Sequence, residues 1–126
     1  TIVEKGCTDL SAIATYIEDL LMANPDISAF LCLNDNTART CYGTCSQMGK
    51  EDCMVIGFDG SPAGKQSIAD GQMTGTMVYS PVDLAKTSFE AAQKLANGEN
   101  VENETQVEMW LINPDNVNDY ALDAWT

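Results

Sequence analysis

The sequence predicts an α/β domain: a three-layer sandwich around a mostly parallel, twisted sheet. Two observations carry that prediction. Short apolar runs at Ile27–Leu33, Met54–Phe58 and Thr74–Tyr79 alternate with segments of helical spacing, the pattern of βαβ units. The run Ile27–Leu33 is continuously apolar, as a strand covered on both faces would be. At 126 residues the chain is long enough for one domain, and a hydrophobic content of 44% lets it bury a core.

The elements follow in order. Ile2-Val3 suggests a short strand closed by Lys5-Gly6. Thr8 or Asp9 can cap a helix whose apolar residues Leu10, Ile13, Ala14, Ile17, Leu20 and Leu21 share one face, and Asn24-Pro25-Asp26 ends it. After the strand Ile27–Leu33, Asn34-Asp35-Asn36 opens a second helix with Ala38, Cys41, Tyr42, Cys45 and Met48 on one side and Gly49 beyond its end. Val55-Ile56-Gly57-Phe58 then runs into a lone carboxylate, Asp59, followed by Gly60-Ser61-Pro62. Ser61 reads as an N-cap and Pro62 as the first position of a short helix to Ala69. Thr74–Tyr79 is the next strand. Ser80-Pro81 opens a longer helix with Leu84, Ala85, Phe89, Ala92, Leu95 and Ala96 turned inward. Gln106–Ile112 alternates and suits an edge strand or an interdomain crossing.

Composition narrows function. With 19 acidic against 6 basic residues the formal net charge is −13, which opposes binding to nucleic acid or to an anionic membrane surface. The sequence has no His, and so lacks the commonest general base and metal ligand. Five cysteines, Cys7, Cys32, Cys41, Cys45 and Cys53, form no Cys-x-x-Cys, so neither a disulfide framework nor a metal site is indicated. Cys41 and Cys45 lie one helical turn apart on an apolar stripe, where packing is the plain reading. No apolar run approaches 18 residues, and no signal or lipidation motif is visible. The chain reads as a piece cut from a longer protein.

A parallel sheet places the carboxyl ends of its strands on one edge, where such folds bind ligands. That edge would gather Cys7 and Thr8, Asn34 and Asp35, Asp59, then Tyr79 and Ser80. Asn and Asp side chains match vicinal hydroxyls, and an aromatic ring can cover a sugar face. No Gly-rich nest and no Lys or Arg stands there for a phosphate, so the set suits a neutral polyol. An Asp that only shapes a turn, or an Asn-Asp pair that only starts a helix, would look the same. No cofactor and no metal is called for.

Four stretches carry a resemblance in register: Asn24-Pro25-Asp26-Ile27, Leu33-Asn34-Asp35, Val55-Ile56-Gly57-Phe58-Asp59-Gly60 and Lys94-Leu95-Ala96-Asn97-Gly98-Glu99. With them the chain resembles the C-terminal part of a type I periplasmic sugar-binding protein of the ribose- and galactose-binding class. The resemblance spans nearly the whole chain. It implies a lobe core at 1–80 and, at 81–112, a helix and a strand that cross between two lobes. It implies a non-catalytic receptor that closes by a hinge on a sugar and serves an ABC transporter permease. Its place would be periplasmic or extracellular, attached to a membrane through the parent protein. Sugar contacts fall on Asn34 and Asp59, with a third at Tyr79. Tyr79 and Thr8 depart from the class, which often has a polar residue at the first and, in ribose binders, a ring-packing aromatic at the second.

Two other functions remain in view. The ligand-sensing domain of a LacI-type repressor shares the fold, and would be cytoplasmic. A phosphatase-like enzyme shares the Asp59-Gly60-Ser61 turn, but Gly57 stands where the first of its two carboxylates is needed. If the crossing helix lacks its lobe, its apolar stripe is exposed and the fragment is expected to self-associate, for example as a homodimer.

Overall fold

The computed structural model describes residues 2–6 and 9–125. Cys7 and Thr8 lie outside the described residues. Asp9 caps a 3-10 turn, Leu10–Ala12, by accepting from the Ser11 amide at 2.9 Å. The chain continues into α1, Ile13–Ala23, which buries Ile13, Ile17 and Leu21. Then come β1 (Ala29–Leu31), α2 (Asp35–Gln47), β2 (Met54–Phe58), α3 (Pro62–Ala69), β3 (Gly75–Tyr79), α4 (Pro81–Ala96) and β4 (Met109–Ile112), with a last 3-10 turn at Val117–Asp119. No helix among the described residues is long and apolar enough to cross a membrane.

The sheet has the order β1-β2-β3-β4, with β1, β2 and β3 parallel and β4 antiparallel. The α/β class and the mostly parallel sheet thus agree with the sequence, and β4 is the edge strand that its alternation suggests. Cap chemistry sets the helix starts. Asn34 Oδ1 accepts from the Thr37 amide, Ser61 Oγ from Gly64, and Ser80 Oγ from Asp83, with Pro62 and Pro81 at first-turn positions.

The core lies between the sheet and α1–α3. Val55, Val78 and Ile112 meet Ala38, Cys41, Cys45 and Ile68 there, with Ile13, Ile17 and Leu21 behind them. On one face of β2 and β3, Val55, Gly57, Thr76 and Val78 are buried, alternating with the partly buried Ile56, Phe58, Met77 and Tyr79 on the other.

Three expectations change. Residues 2–6 form no strand. The run 27–33 contributes only Ala29–Leu31 to the sheet, and it is not covered on both faces, because Leu31 is 84% exposed. The second face of the sheet leaves Leu31, Met54, Met109 and Leu111 exposed. On α4 no residue is buried. Phe89 is 69% exposed and Leu95 60%, so the stripe read as inward-facing finds no partner within the described chain.

Candidate functional site at the carboxyl edge of the sheet

Because β1, β2 and β3 are parallel neighbours, their carboxyl ends share one edge. Asn34 follows β1, Asp59 follows β2 and Tyr79 ends β3. All three side chains are partly exposed there. The Asp59 amide donates to Met77 O at 2.9 Å, which ties the end of β2 to β3. The Tyr79 ring lies 5.8 Å from that of Phe58, tilted by 39°. Asn34 spends Oδ1 on capping α2, and its amide nitrogen, a donor, takes no part in that cap.

Asp59 is held in an uncommon backbone state. Its φ is +116°, and among the described residues no other non-glycine residue has positive φ. Such a conformation costs about 1–3 kcal/mol and persists only where the surroundings enforce it. The enforcement is visible. Gly60, at φ +68°, follows at once, with its α-carbon facing Val78 so closely that a Cβ would lie 2.7 Å from Cγ2. The Gly60 amide donates to Thr76 Oγ1 at 3.2 Å, and the Ser61 amide and hydroxyl both donate to Asp35 Oδ2, at 2.8 and 2.6 Å. The Thr76 hydroxyl donates to Asp35 Oδ1 at 2.6 Å. One carboxylate therefore fastens the turn after β2 to β3 and to the start of α2.

Asp35 is thus not where the sequence reading puts it. Its side chain is 1% exposed and both oxygens are spent on Ser61 and Thr76. The burial is tolerable because the donors compensate and because the charge sits at the N-termini of both α2 and α3, where helix dipoles favour an anion. Gly57 and Gly64 make the room: a Cβ at either would overlap the Asp35 carboxylate. Sequence reasoning missed Ser61, Thr76, Gly57 and Gly64 as partners of Asp35. The one signal was Gly57, since a glycine inside an apolar strand marks a close approach.

Burial, and secondarily the Asp35 charge, raises the Asp59 carboxyl above its ordinary value of 3.8. The edge itself is open. Two shallow concavities, of about 360 and 270 Å³, lie elsewhere, beside α4 (Thr87, Ala91, Asn100) and at the opposite end of the strands (Tyr42, Cys53, Thr74). Among the described residues no group of three or more Cys, Asp or Glu is arranged to hold a metal ion.

Known proteins share this framework. A ribose import binding protein of Escherichia coli is 33% identical over 96 residues, 76% of this chain and 32% of that protein. A D-allose-binding periplasmic protein of the same organism is 33% identical over 72 residues, 56% of this chain and 23% of that one. An ABC transporter solute binding protein of Mycobacterium smegmatis, solved with bound glycerol, superposes with a TM-score of 0.79 at 30% identity, covering 94% of this chain and 42% of that one. One from Bacillus halodurans with bound myo-inositol gives 0.71 at 29% identity, covering 89% and 39%. The chain spans about a third of the length of the first of these relatives. The periplasmic binding protein domain matches residues 1–100, and the chain belongs to that family.

Proposed function

We propose that this chain supplies one half of a sugar-binding cleft: the C-terminal part of a two-lobed receptor that hands a neutral sugar or polyol to an ABC transporter permease. The observation that carries the reading is the strand-end edge. Asn34, Asp59 and Tyr79 gather there, with Asp59 kept in its positive-φ state by the buried Asp35. In this reading Asp59 accepts hydrogen bonds from ligand hydroxyls, Asn34 donates through its amide nitrogen, and the Tyr79 ring covers an apolar sugar face. Thr8, outside the described residues, is kept as a further contact on the sequence argument alone. Asp35 acts through Asp59 and Ser61 rather than by touching ligand.

The bound molecules of the solved neighbours, glycerol and myo-inositol, and the ribose and allose named for the curated relatives are all polyhydroxylated and uncharged. They support the ligand class, and their import role favours the transport reading over a repressor's sensor domain. Binding would proceed by hinge closure, with no bond made or broken and no cofactor. The receptor would work in the periplasm or outside the cell, held at a membrane through its parent. In the two-lobed protein the exposed stripe of α4 would pack in the other lobe, and 81–112 would be the crossing. Alone, the same stripe would drive self-association.

Calorimetric titration of the two-lobed parent against pentoses, hexoses and polyols tests the reading. A member of the panel bound with micromolar or tighter affinity is the expected result. A parent that binds none of them, but binds an anionic solute, would sink it.

A further inference from the structure

Lysine is seldom sealed in a core, yet Lys65 on α3 is 1% exposed and the bulkiest of the fully buried side chains. Nothing about α3 itself calls for it. A cation in the first turn opposes the helix dipole, and an apolar side chain would fill the space without desolvating a charge. Its use lies in the C-terminal segment. Lys65 Nζ donates to Ala124 O at 2.8 Å, 59 residues further along the chain.

That segment is led to α3 by a turn built from asparagines. After β4, Asn113 Oδ1 accepts from the Asp115 amide at 3.0 Å, and Asn116 Oδ1 accepts from the Asn113 amide at 2.8 Å. The Asn116 side-chain amide donates back to Leu111 O at 3.0 Å. The turn delivers Val117, 1% exposed, and the 3-10 turn that begins there packs against α3. Leu122 is half-buried against the core. Residues 121–125 form neither helix nor strand, so a side-chain catch serves where a backbone ladder would otherwise hold the chain.

From the catch a short run of bonds leads to the carboxyl edge. The Lys65 amide donates to Ser61 O at 2.9 Å, closing the first turn of α3. Ser61 is the residue whose amide and hydroxyl Asp35 holds, and it stands two places after Asp59. We propose that residues 113–125 are a strap with Lys65 as its catch, and that its docking on α3 limits opening of the turn that presents Asp59. Lys65 is a positioning residue here: it is sealed from solvent and acts through Ser61. Burial pulls its ammonium below the ordinary value of 10.5, while Asp123 of the strap and Asp35 under the turn act to keep it charged. Of the strap's residues only Val117 is fully buried, so the strap opens more cheaply than the sheet. The proposal concerns the backbone of the turn and stands whether or not the edge binds a sugar.

Native-state hydrogen exchange on the 126-residue chain, resolved amide by amide in NMR spectra, tests it. In the unmodified chain the Tyr120 amide of the strap and the Ser61 amide should open together, with the same dependence on dilute urea. The Cys32 and Thr74 amides, which donate to Ile56 O and Val55 O of β2, should open only at higher cost. Two substitutions then undock the strap from opposite sides, Leu122→Ser in the strap and Lys65→Met in α3. Each should speed exchange at Gly60 and Ser61 about tenfold and leave Cys32 and Thr74 unchanged. The double variant should exchange no faster at Ser61 than the faster single one, because one strap undocks only once. A Tyr120 amide that exchanges freely in the unmodified chain while Ser61 stays protected would overturn the proposal, and this comparison needs no variant to fold. Acceleration confined to the strap would overturn it too, as would acceleration spread equally to Cys32 and Thr74, the mark of a general loss of stability.

Discussion

Replacing Asp35 by Ala probes the node on which the edge depends. The substitution removes the acceptor for three hydrogen bonds, those of the Ser61 amide, the Ser61 hydroxyl and the Thr76 hydroxyl. The two hydroxyls can turn to other acceptors, and Thr76 already lies 3.5 Å from Met77 O. The Ser61 amide cannot turn, and its residue is 8% exposed. A stranded buried donor costs about 1–3 kcal/mol, and hydrogen bonds to a charged group contribute about 1.5–3 kcal/mol each. Removing the buried charge recovers some desolvation energy, so a net loss of about 3 kcal/mol is expected. Against a total stability of about 5–15 kcal/mol, that is a large fraction. Urea unfolding followed by far-UV circular dichroism reads it as a midpoint lowered by about 1.5 M, taking a slope of about 2 kcal/mol/M. Asp35→Asn keeps the volume but points an amide at donors, so it should recover only part of the loss. A midpoint for Asp35→Ala within about 0.3 M of the parent chain would refute the node, given the same slope.

Three further outcomes follow from the same geometry. Gly64→Ala should destabilise, although Gly→Ala inside a helix ordinarily stabilises by about 1 kcal/mol, because the added Cβ meets the Asp35 carboxylate; a thermal-unfolding midpoint at or above that of the parent chain would contradict this. Asp59 carries a raised carboxyl, so the native state binds more protons than the unfolded one just above pH 3.8, and stability contributed by this group falls as pH rises through that window. Asp59→Asn should remove that slope, and Asp59→Gly should gain about 1 kcal/mol at neutral pH by relieving the positive φ; chemical denaturation at several pH values checks both. Phe89→Asp should weaken self-association of the 126-residue chain about tenfold in sedimentation equilibrium, because Phe89 is exposed on the unpartnered stripe of α4.

Local chemistry explains what could be read without coordinates. The β2–α3 unit was legible nearly to the residue, because an apolar run, a turn glycine, a serine cap and a first-turn proline all favour the same structure at 55–69. The strand β1 was read too long. An apolar run reports what the chain can bury, and in these residues Leu31 and Leu33 have nothing to bury against. For α4 the periodic stripe was legible while its partner was not, since periodicity says which face is apolar and not what covers it. The site divides in the same way. Asn34, Asp59 and Tyr79 follow from strand ends, which topology alone brings to one edge. Asp35 looked equivalent to its neighbour Asn34, yet one residue along a starting helix turns a side chain by about 100°. That rotation carries it from the edge into the interior, beside two glycines whose importance depends on contacts distant in sequence.

In the proposed cleft, shared with a second lobe, Asp59 would accept hydrogen bonds from ligand hydroxyls. The most direct test of that role is calorimetry on the two-lobed parent with the tightest sugar found for it, comparing Asp59→Ala with the unmodified protein. At least a hundredfold loss of affinity, about 3 kcal/mol, is expected, with the unfolding midpoint unchanged or raised. Unchanged affinity in a folded Asp59→Ala protein would contradict it.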